Sequence, residues 1–240
     1  MVPKNQIKLV TSLQQKKYRT QHGLFVAEGV KLVNELLEGG IEPHGVYVVN
    51  EALADQIATN CEVVSPSVLK KMSSLSSPNG VLGVFHMPKK EKLHFEGWAI
   101  ILDSIRDPGN LGTIIRLCDW FDIKYLICSP DTVDCYNPKV LQATMGSIAR
   151  VEVQYLDLED FLKKNEHPVY GAFMDGTNMY GKKLGEQGIL VMGNEANGIS
   201  SEVEKYVTER IGIPQFGEPT TESLNVATAT AILLSEIRRN

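Results

Sequence analysis

The chain alternates short apolar runs with segments in which apolar residues recur every three or four positions. The short runs predict buried strands, and the periodic segments predict amphipathic helices. From residue 98 onward the predicted strands are 98–102, 125–128, 151–154, 169–172, 188–192 and 210–213, and later helices are predicted at 138–145, 158–165, 201–206 and 225–238. This alternation predicts an α/β fold with a mainly parallel sheet covered by helices on both faces.

The first 86 residues repeat this alternation on a smaller scale. Helices are predicted at 4–14, 30–37, 52–58 and after Pro66, and strands at 24–26, 46–49, 63–64 and 80–85. Residues 87–96 are polar and interrupted by proline, which is typical of a linker. We therefore expect a small α/β domain at 1–86, a linker at 87–96 and a larger domain at 97–240.

The stretch from residue 100 to residue 121 combines a strand, a polar turn and a helix. Asp107-Pro108-Gly109 breaks the apolar run, and Asn110 is a predicted N-cap for the helix that follows. Arg116 lies about 140° around that helix from Leu111, so it is off the apolar face. Loops of this kind, at the carboxyl ends of strands, are where open α/β sheets bind ligands.

Two further loops follow predicted strands, at residues 193–198 and 214–225. In a parallel sheet these loops and residues 107–116 fall on the same edge, so their polar groups are expected to converge. Simpler explanations exist for each candidate residue. They are a helix cap for Asn110 and Asn225, a surface cation for Arg116, a solvated carboxylate for Glu195 and a turn hydroxyl for Ser223.

The composition favours a globular protein of ordinary kind over a membrane, zinc-binding or disulfide-rich one. Of the 240 residues, 43% are hydrophobic and 22% are charged, which is ordinary for a globular protein. The amino terminus lacks an apolar signal core and no apolar run is long enough to cross a membrane, so we expect a cytoplasmic protein. The four cysteines form no C-x-x-C pair, and the five histidines have no metal-ligand spacing, so neither a zinc site nor disulfides are expected.

The charge is unevenly distributed along the chain. The net charge is −5, but residues 1–31 contain six basic residues and one acidic residue, which gives that segment +5 and the remainder −10. A local basic patch of this kind can contact phosphate on an otherwise acidic protein, although a solvated charged helix is an equal alternative. The candidate residues of this segment for contact with nucleic-acid phosphate are Lys16, Lys17 and Arg19.

A dinucleotide-binding oxidoreductase is the main alternative that the residues themselves suggest. Residues 107–116 form a strand-to-helix turn, and Asp131 lies about 20 residues further on, where a ribose-binding acid is expected. The glycines match poorly, because only Gly109-x-x-Gly112 is present and the full G-x-G-x-x-G pattern is missing.

The three loops together resemble the sequence motifs of the SpoU (TrmH-like) RNA ribose 2′-O-methyltransferases. The matching segments are Asp107-Pro-Gly-Asn-Leu-Gly-Thr-Ile-Ile-Arg116, Val191-Met-Gly-Asn-Glu-Ala-Asn-Gly-Ile-Ser200 and Ile213-Pro-x5-Thr-x-x-Ser223-Leu-Asn-Val226, and Ala143-Thr-Met-Gly-Ser147 resembles a further segment. Tyr18-Arg19 and Leu24-Phe-Val-Ala-Glu-Gly29 are similar to the L30e-like substrate-binding domain of that family. The resemblance therefore covers nearly the whole chain.

This resemblance implies a trefoil knot near the carboxyl end, S-adenosylmethionine as methyl donor, no metal and a homodimer. It implies catalytic roles for Asn110, Arg116, Glu195, Ser223 and Asn225. It implies cofactor binding by Met174, Met192, Gly193, Asn194, Ile213, Leu224 and Asn225. Arg116 is also expected to bind RNA, because a guanidinium grips phosphate with two hydrogen bonds and is not deprotonated in proteins.

The sequence leaves two classes of RNA as candidate substrates. Ribosomal RNA is the first choice, because this pairing of domains is common among enzymes that modify it, and transfer RNA is the alternative. A non-catalytic RNA-binding module would share the basic segment but would transfer no methyl group.

Overall fold

The structure is a computed structural model that describes residues 2–90, 93, 96–217 and 223–239. Its helices are α1 (Lys4–Ser12), α2 (Lys16–His22), α3 (Val30–Glu38), α4 (Glu51–Ala54), α5 (Pro66–Met72), α6 (Pro108–Trp120), α7 (Pro138–Thr144), α8 (Leu158–Leu162), α9 (Ser201–Glu204) and α10 (Val226–Arg239). Its strands are β1 (Leu24–Glu28), β2 (Pro43–Val48), β3 (Glu62–Val63), β4 (Val81–His86), β5 (Trp98–Leu102), β6 (Tyr125–Cys128), β7 (Glu152–Tyr155), β8 (Val169–Asn178), β9 (Gly188–Met192) and β10 (Glu209–Gly212).

The chain divides into two compact units. The first unit combines Met1–Lys90 with Asp134–Arg150, and the second combines Glu91–Val133 with Val151–Asn240. The predicted linker at 87–96 lies partly outside the described residues. Residues 134–150, which the sequence analysis assigned to the second domain, pack with the first unit, so that unit is built from two separate parts of the chain.

The first unit contains a four-stranded sheet in the order β1-β4-β2-β3. Strand β4 pairs antiparallel with β1 and β2, and β2 pairs parallel with β3. All five residues of β1 are buried, so this strand lies in the interior of the unit. Helix α2 was not predicted, because the segment Lys16–His22 has no apolar periodicity and its buried residue is an arginine.

That arginine, Arg19, is buried with 2% of its surface exposed. Its guanidinium forms an ion pair with Asp134, with Nη2 2.5 Å from Oδ2, and its Nη1 donates to the carbonyl oxygens of Leu13 and Gln14 at 2.9 Å each. The prediction that Arg19 contacts RNA is therefore wrong for this structure. A count of charges along the sequence does not distinguish a solvated cation from one that is buried against a partner over 100 positions away.

Asp134 is the first residue of the segment 134–150, which packs with the first unit. Further along this segment, the Tyr136 ring packs against the Phe25 ring with 4.6 Å between centroids. Gln142 Nε2 donates to the backbone oxygen of Glu28 at 2.9 Å. Residues 134–150 therefore contribute both apolar and polar contacts to the first unit.

The second unit is a six-stranded sheet in the order β10-β8-β9-β5-β6-β7, and all of its neighbouring strands are parallel. Ile100 and Ile101 are adjacent in β5 and point to opposite faces, yet both are fully buried. Both faces of the sheet are therefore covered at that strand, and the predicted α/β fold with a parallel sheet is confirmed.

Strand β8 is longer than predicted and carries a large irregularity. Its pairing with β10 runs from Arg210 opposite Gly171 directly to Ile211 opposite Thr177, so residues 172–176 have no partner on β10. We call residues 172–176 the β8 bulge. Gly176 is required within it, because a Cβ there would lie 2.3 Å from the carbonyl carbon of Ile211.

Candidate functional site

Side chains from the three predicted loops meet at Asn110. Its Nδ2 donates to Glu195 Oε1 at 2.5 Å, and its Oδ1 accepts from Asn225 Nδ2 at 2.9 Å. The carboxylate of Glu195 can only accept, which fixes the orientation of the Asn110 amide and leaves its oxygen for Asn225. The expected convergence of the loops at one edge of the sheet is thus observed.

Asn110 is not the cap of helix α6. The N-cap is Asp107, whose Oδ1 accepts from the backbone N–H of Asn110 at 2.8 Å. Proline at the first position of the helix explains the shift, because it is favoured there and supplies no N–H that needs a partner. The side chain of Asn110 is consequently available to join the other two loops.

Asn225 both caps a helix and reaches Asn110. Its Oδ1 accepts from the backbone N–H groups of Ala227 and Thr228 at 3.0 and 3.2 Å, at the start of α10. Its Nδ2 is the group that donates to Asn110. The amino-terminal end of helix α10 and the first loop are therefore fixed to each other through the side chain of Asn225.

The second loop is held by Asn194. Its Oδ1 accepts from the N–H groups of Ala196 and Asn197, and its Nδ2 donates to the Ser104 carbonyl oxygen at 2.7 Å. Gly193 has no room for a side chain, because a Cβ would lie 2.2 Å from the Gly198 carbonyl carbon. The loop is a tight turn that presents Glu195 at a defined position.

Asp131, the acid of the dinucleotide alternative, is engaged by its neighbours. Hydroxyl donors from Ser104 and Ser129 lie 2.5 and 2.7 Å from its two carboxylate oxygens. These hydrogen bonds, with that of Ser104 foremost, hold the pKa of Asp131 below its usual range. The carboxylate thus joins the ends of β5 and β6 through these two hydroxyls.

A cavity of about 670 Å³ opens beside Glu195 in the second unit. Among the residues that line it are Met174, Met192, Gly193, Asn194, Ile213 and Leu224, all of them predicted cofactor contacts, together with Glu195 and Ser223. Asn225 lies between two lining residues, Leu224 and Val226. Part of the third loop, residues 218–222, falls outside the described residues.

Most of one wall of this cavity was not predicted from the sequence. The β8 bulge contributes Ala172, Phe173 and Asp175 as well as the predicted Met174. A change of register in a parallel sheet leaves no periodic pattern in the sequence. The available sign of the bulge was the pair Asp175-Gly176, because aspartate and glycine are uncommon inside strands.

Arg116 is exposed on helix α6, as its position off the apolar face predicted. Its side chain does not line the cavity that the described residues form. Lys16 and Lys17 are exposed on helix α2.

Three features are absent from the described residues. No group of three or more histidine, cysteine, aspartate or glutamate side chains there has the geometry to hold a metal ion. None of the helices in the described ranges is long and apolar enough to cross a membrane. No disulfide joins the four cysteines, all of which lie in the described part of the chain.

Comparison with known proteins finds two family matches. Residues 97–235 match the SpoU rRNA Methylase family, and residues 4–83 match the MRM3-like substrate binding domain. The first match alone spans more than half of the chain.

Individual relatives cover nearly the full length. The 23S rRNA guanosine 2′-O-methyltransferase RlmP of Bacillus subtilis is 31% identical over 98% of this chain and 97% of its own. A solved structure of the TrmH family from Porphyromonas gingivalis is 39% identical with a TM-score of 0.92, covering 100% of this chain and 99% of its own. An AdoMet-bound rRNA methyltransferase from Sinorhizobium meliloti is 30% identical with a TM-score of 0.86, covering 97% and 94%.

The cap of helix α6 gives a direct stability test. Asp107→Ala removes the side-chain acceptor at the N-cap, so we expect the free energy of unfolding to fall by about 1 kcal/mol. Asp107→Asn keeps an acceptor and is the matched control, with little expected change. Urea unfolding measures both. If Asp107→Ala were as stable as the wild type, the side chain of Asp107 would not be the functional cap.

Proposed function

The chain belongs to the SpoU rRNA methylase family, and from this premise we propose that it transfers a methyl group from S-adenosylmethionine to a ribose 2′-hydroxyl of RNA, with ribosomal RNA as the substrate. The observation that carries this proposal is the junction at Asn110, which unites the three motif loops beside the cavity. Relatives named as rRNA methyltransferases favour ribosomal RNA over transfer RNA.

The charge of the cavity fits the proposed cofactor. Its described lining contains the carboxylates of Glu195 and Asp175, of which Asp175 is paired with Arg210 outside the lining, and no lysine or arginine. A sulfonium cation is favoured beside carboxylates, whereas the pyrophosphate of a dinucleotide would be repelled by them. The volume, about 670 Å³, is in the usual range for small-molecule sites. Met174, Met192, Gly193, Asn194, Ile213 and Leu224 would hold the cofactor, with Asn225 adjoining them.

When bound, S-adenosylmethionine supplies an electrophilic methyl group, so the reaction requires no metal. The protein has to align the ribose hydroxyl and manage its proton. Asn110, Glu195, Ser223 and Asn225 are proposed to hold the ribose and the loops around it. Arg116 stays protonated, so its proposed role is to grip an RNA phosphate with two hydrogen bonds and orient the hydroxyl, whose proton leaves to phosphate or water.

Several finer features belong to the same proposal. We propose a trefoil knot near the carboxyl end, an L30e-like domain at residues 1–86, a linker at 87–96, a catalytic domain at 97–240, a homodimer and a cytoplasmic location. The knot is supported by the position of β10 at one edge of the sheet and by the packing of α10 against α6, the helix that follows the interior strand β5.

Calorimetry separates the proposed class from its main alternatives. We expect S-adenosylhomocysteine, the product form of the proposed cofactor, to bind. We expect NAD not to bind, because its pyrophosphate would face an acidic lining. Methyl transfer from labelled S-adenosylmethionine to ribosomal RNA then tests the reaction, with transfer RNA as the competing substrate. Binding of NAD alone would favour an oxidoreductase, and RNA affinity without methyl transfer would favour a binding module.

Substitutions of Arg116 test whether its shape or only its charge matters. Lysine keeps the charge but lacks the planar fork, so we expect Arg116→Lys to be almost as defective as Arg116→Ala in single-turnover methyl transfer. Cofactor affinity and unfolding should barely change, because Arg116 is exposed and does not line the cavity.

Arg239→Lys is the matched control for these variants. Arg239 is also an exposed helical arginine, paired with Glu236 within α10, and its substitution should leave methyl transfer within about twofold of the wild type. Full activity in Arg116→Lys would mean that charge alone suffices, and full activity in Arg116→Ala would make Arg116 an ordinary surface residue.

The first unit is proposed to select the RNA through its basic segment. Reversing the charge of Lys16 and Lys17 together should weaken RNA binding and reduce the slope of log affinity against log salt by about 0.7–0.9 for each RNA phosphate that the protein no longer neutralises. Reversing Lys70 and Lys71, an adjacent exposed pair outside the basic segment, is the control for total charge. Equal effects of the two pairs would contradict a specific role for Lys16 and Lys17.

A further inference from the structure

The β8 bulge forms part of the cavity wall without the support that a strand normally has. The ladder between β8 and β10 stops at Gly171 and resumes at Thr177, so no strand pairing with β10 holds residues 172–176. Phe173 and Asp175 of this bulge line the cavity. Their positions must therefore be fixed by contacts of other kinds.

One side chain contacts both of them. The guanidinium carbon of Arg210 lies 3.5 Å from the centroid of the Phe173 ring. Arg210 Nη2 lies 2.5 Å from Asp175 Oδ1. Arg210 lies in β10 opposite Gly171, the last paired residue of β8 before the bulge.

A second carboxylate holds Arg210 in this position. Its Nη1 donates to Glu204 Oε1, on the neighbouring helix α9. Exposed ion pairs contribute little to stability when each acts alone. Here the planar guanidinium stacks on a ring and forms two charge-assisted hydrogen bonds at once, which restricts its orientation far more than a single pair would.

We infer that Arg210 is a positioning residue for the cofactor pocket, which acts through Phe173 and Asp175 without lining the pocket itself. The inference rests on the proposed function, since it concerns the same cavity. The hydrogen bond from Arg210 also holds the pKa of Asp175 below its usual range. The expected effect is on cofactor binding, because a pre-formed wall lowers the cost of ordering the site when the ligand enters.

Two substitutions separate the stacking from the charge. Arg210→Ala removes both, and we expect the Kd for S-adenosylhomocysteine to rise about tenfold, the order of effect expected for a cation–π contact with its ion pair. Arg210→Lys keeps the charge but not the planar stack, and should raise the Kd by about fivefold. In methyl transfer, the KM for S-adenosylmethionine should rise in parallel while kcat stays within about twofold of the wild type.

Glu204→Gln is the matched control within the same network. It removes the charge of residue 204, which does not line the cavity, but keeps an amide oxygen that can accept from Arg210. The contacts of Arg210 with the bulge therefore stay in place, and Kd and kcat should remain within about twofold of the wild type. Urea unfolding without cofactor checks that each variant is folded. If Arg210→Ala does not fold, the Kd of Arg210→Lys tests the inference.

A double-mutant cycle tests the route through the ring. Phe173→Leu keeps an apolar side chain but removes the stacking partner, and should itself raise the Kd. If Arg210 acts through Phe173, adding Arg210→Ala to Phe173→Leu should raise the Kd by no more than about twofold further, because the two effects are coupled.

The outcomes are distinct. An unchanged Kd in both Arg210 variants would overturn the inference, as would a fall in kcat with an unchanged Kd, which would assign Arg210 to the RNA or to the reacting groups. Fully additive effects in the cycle would overturn the route through Phe173. A wild-type protein that binds no S-adenosylhomocysteine would overturn the proposed function itself, and this inference with it.

Discussion

The site depends on one amide group that donates to one loop and accepts from another. Glu195 offers only an acceptor and Asn225 directs only its N–H toward the first loop, so the residue between them must have both kinds of atom. Asparagine meets this need at Asn110 with a side chain short enough to stay in the first turn of α6. An aspartate would face Glu195 with a second acceptor, and an apolar residue would bond to neither loop.

This junction is possible because of the sheet beneath it. Parallel strands end on the same side, so loops whose joined residues lie 85 and 115 positions from Asn110 along the chain arrive at one edge. The helix ends are then set by their caps, with Asp107 for α6 and Asn225 for α10. Because Asp107 takes the capping role, Asn110 is left to connect the loops.

Much of this arrangement was predictable from the sequence, for a physical reason. The strands at 98–102, 125–128 and 188–192 were predicted with the bounds that the structure has, since central parallel strands are continuous apolar runs. The three loops were found because glycine, proline and asparagine mark turns by their own backbone preferences. What failed depends on distant partners. Arg19 is buried against Asp134, which lies 115 positions away along the chain, and the β8 bulge arises from a change of register against β10.

The discontinuous first unit limits where the chain can be divided. A cut at the predicted linker would separate Asp134, Tyr136 and Gln142 from the residues that cover them, although the parallel sheet would remain whole. The fragment before the cut would hold a buried arginine without its counter-ion, a costly defect. The two units are therefore separate as packed bodies but not as exchangeable modules. Recombination that replaced residues 1–86 with the matching part of a relative would have to bring residues 134–150 with it, or replace their contacts at the same time.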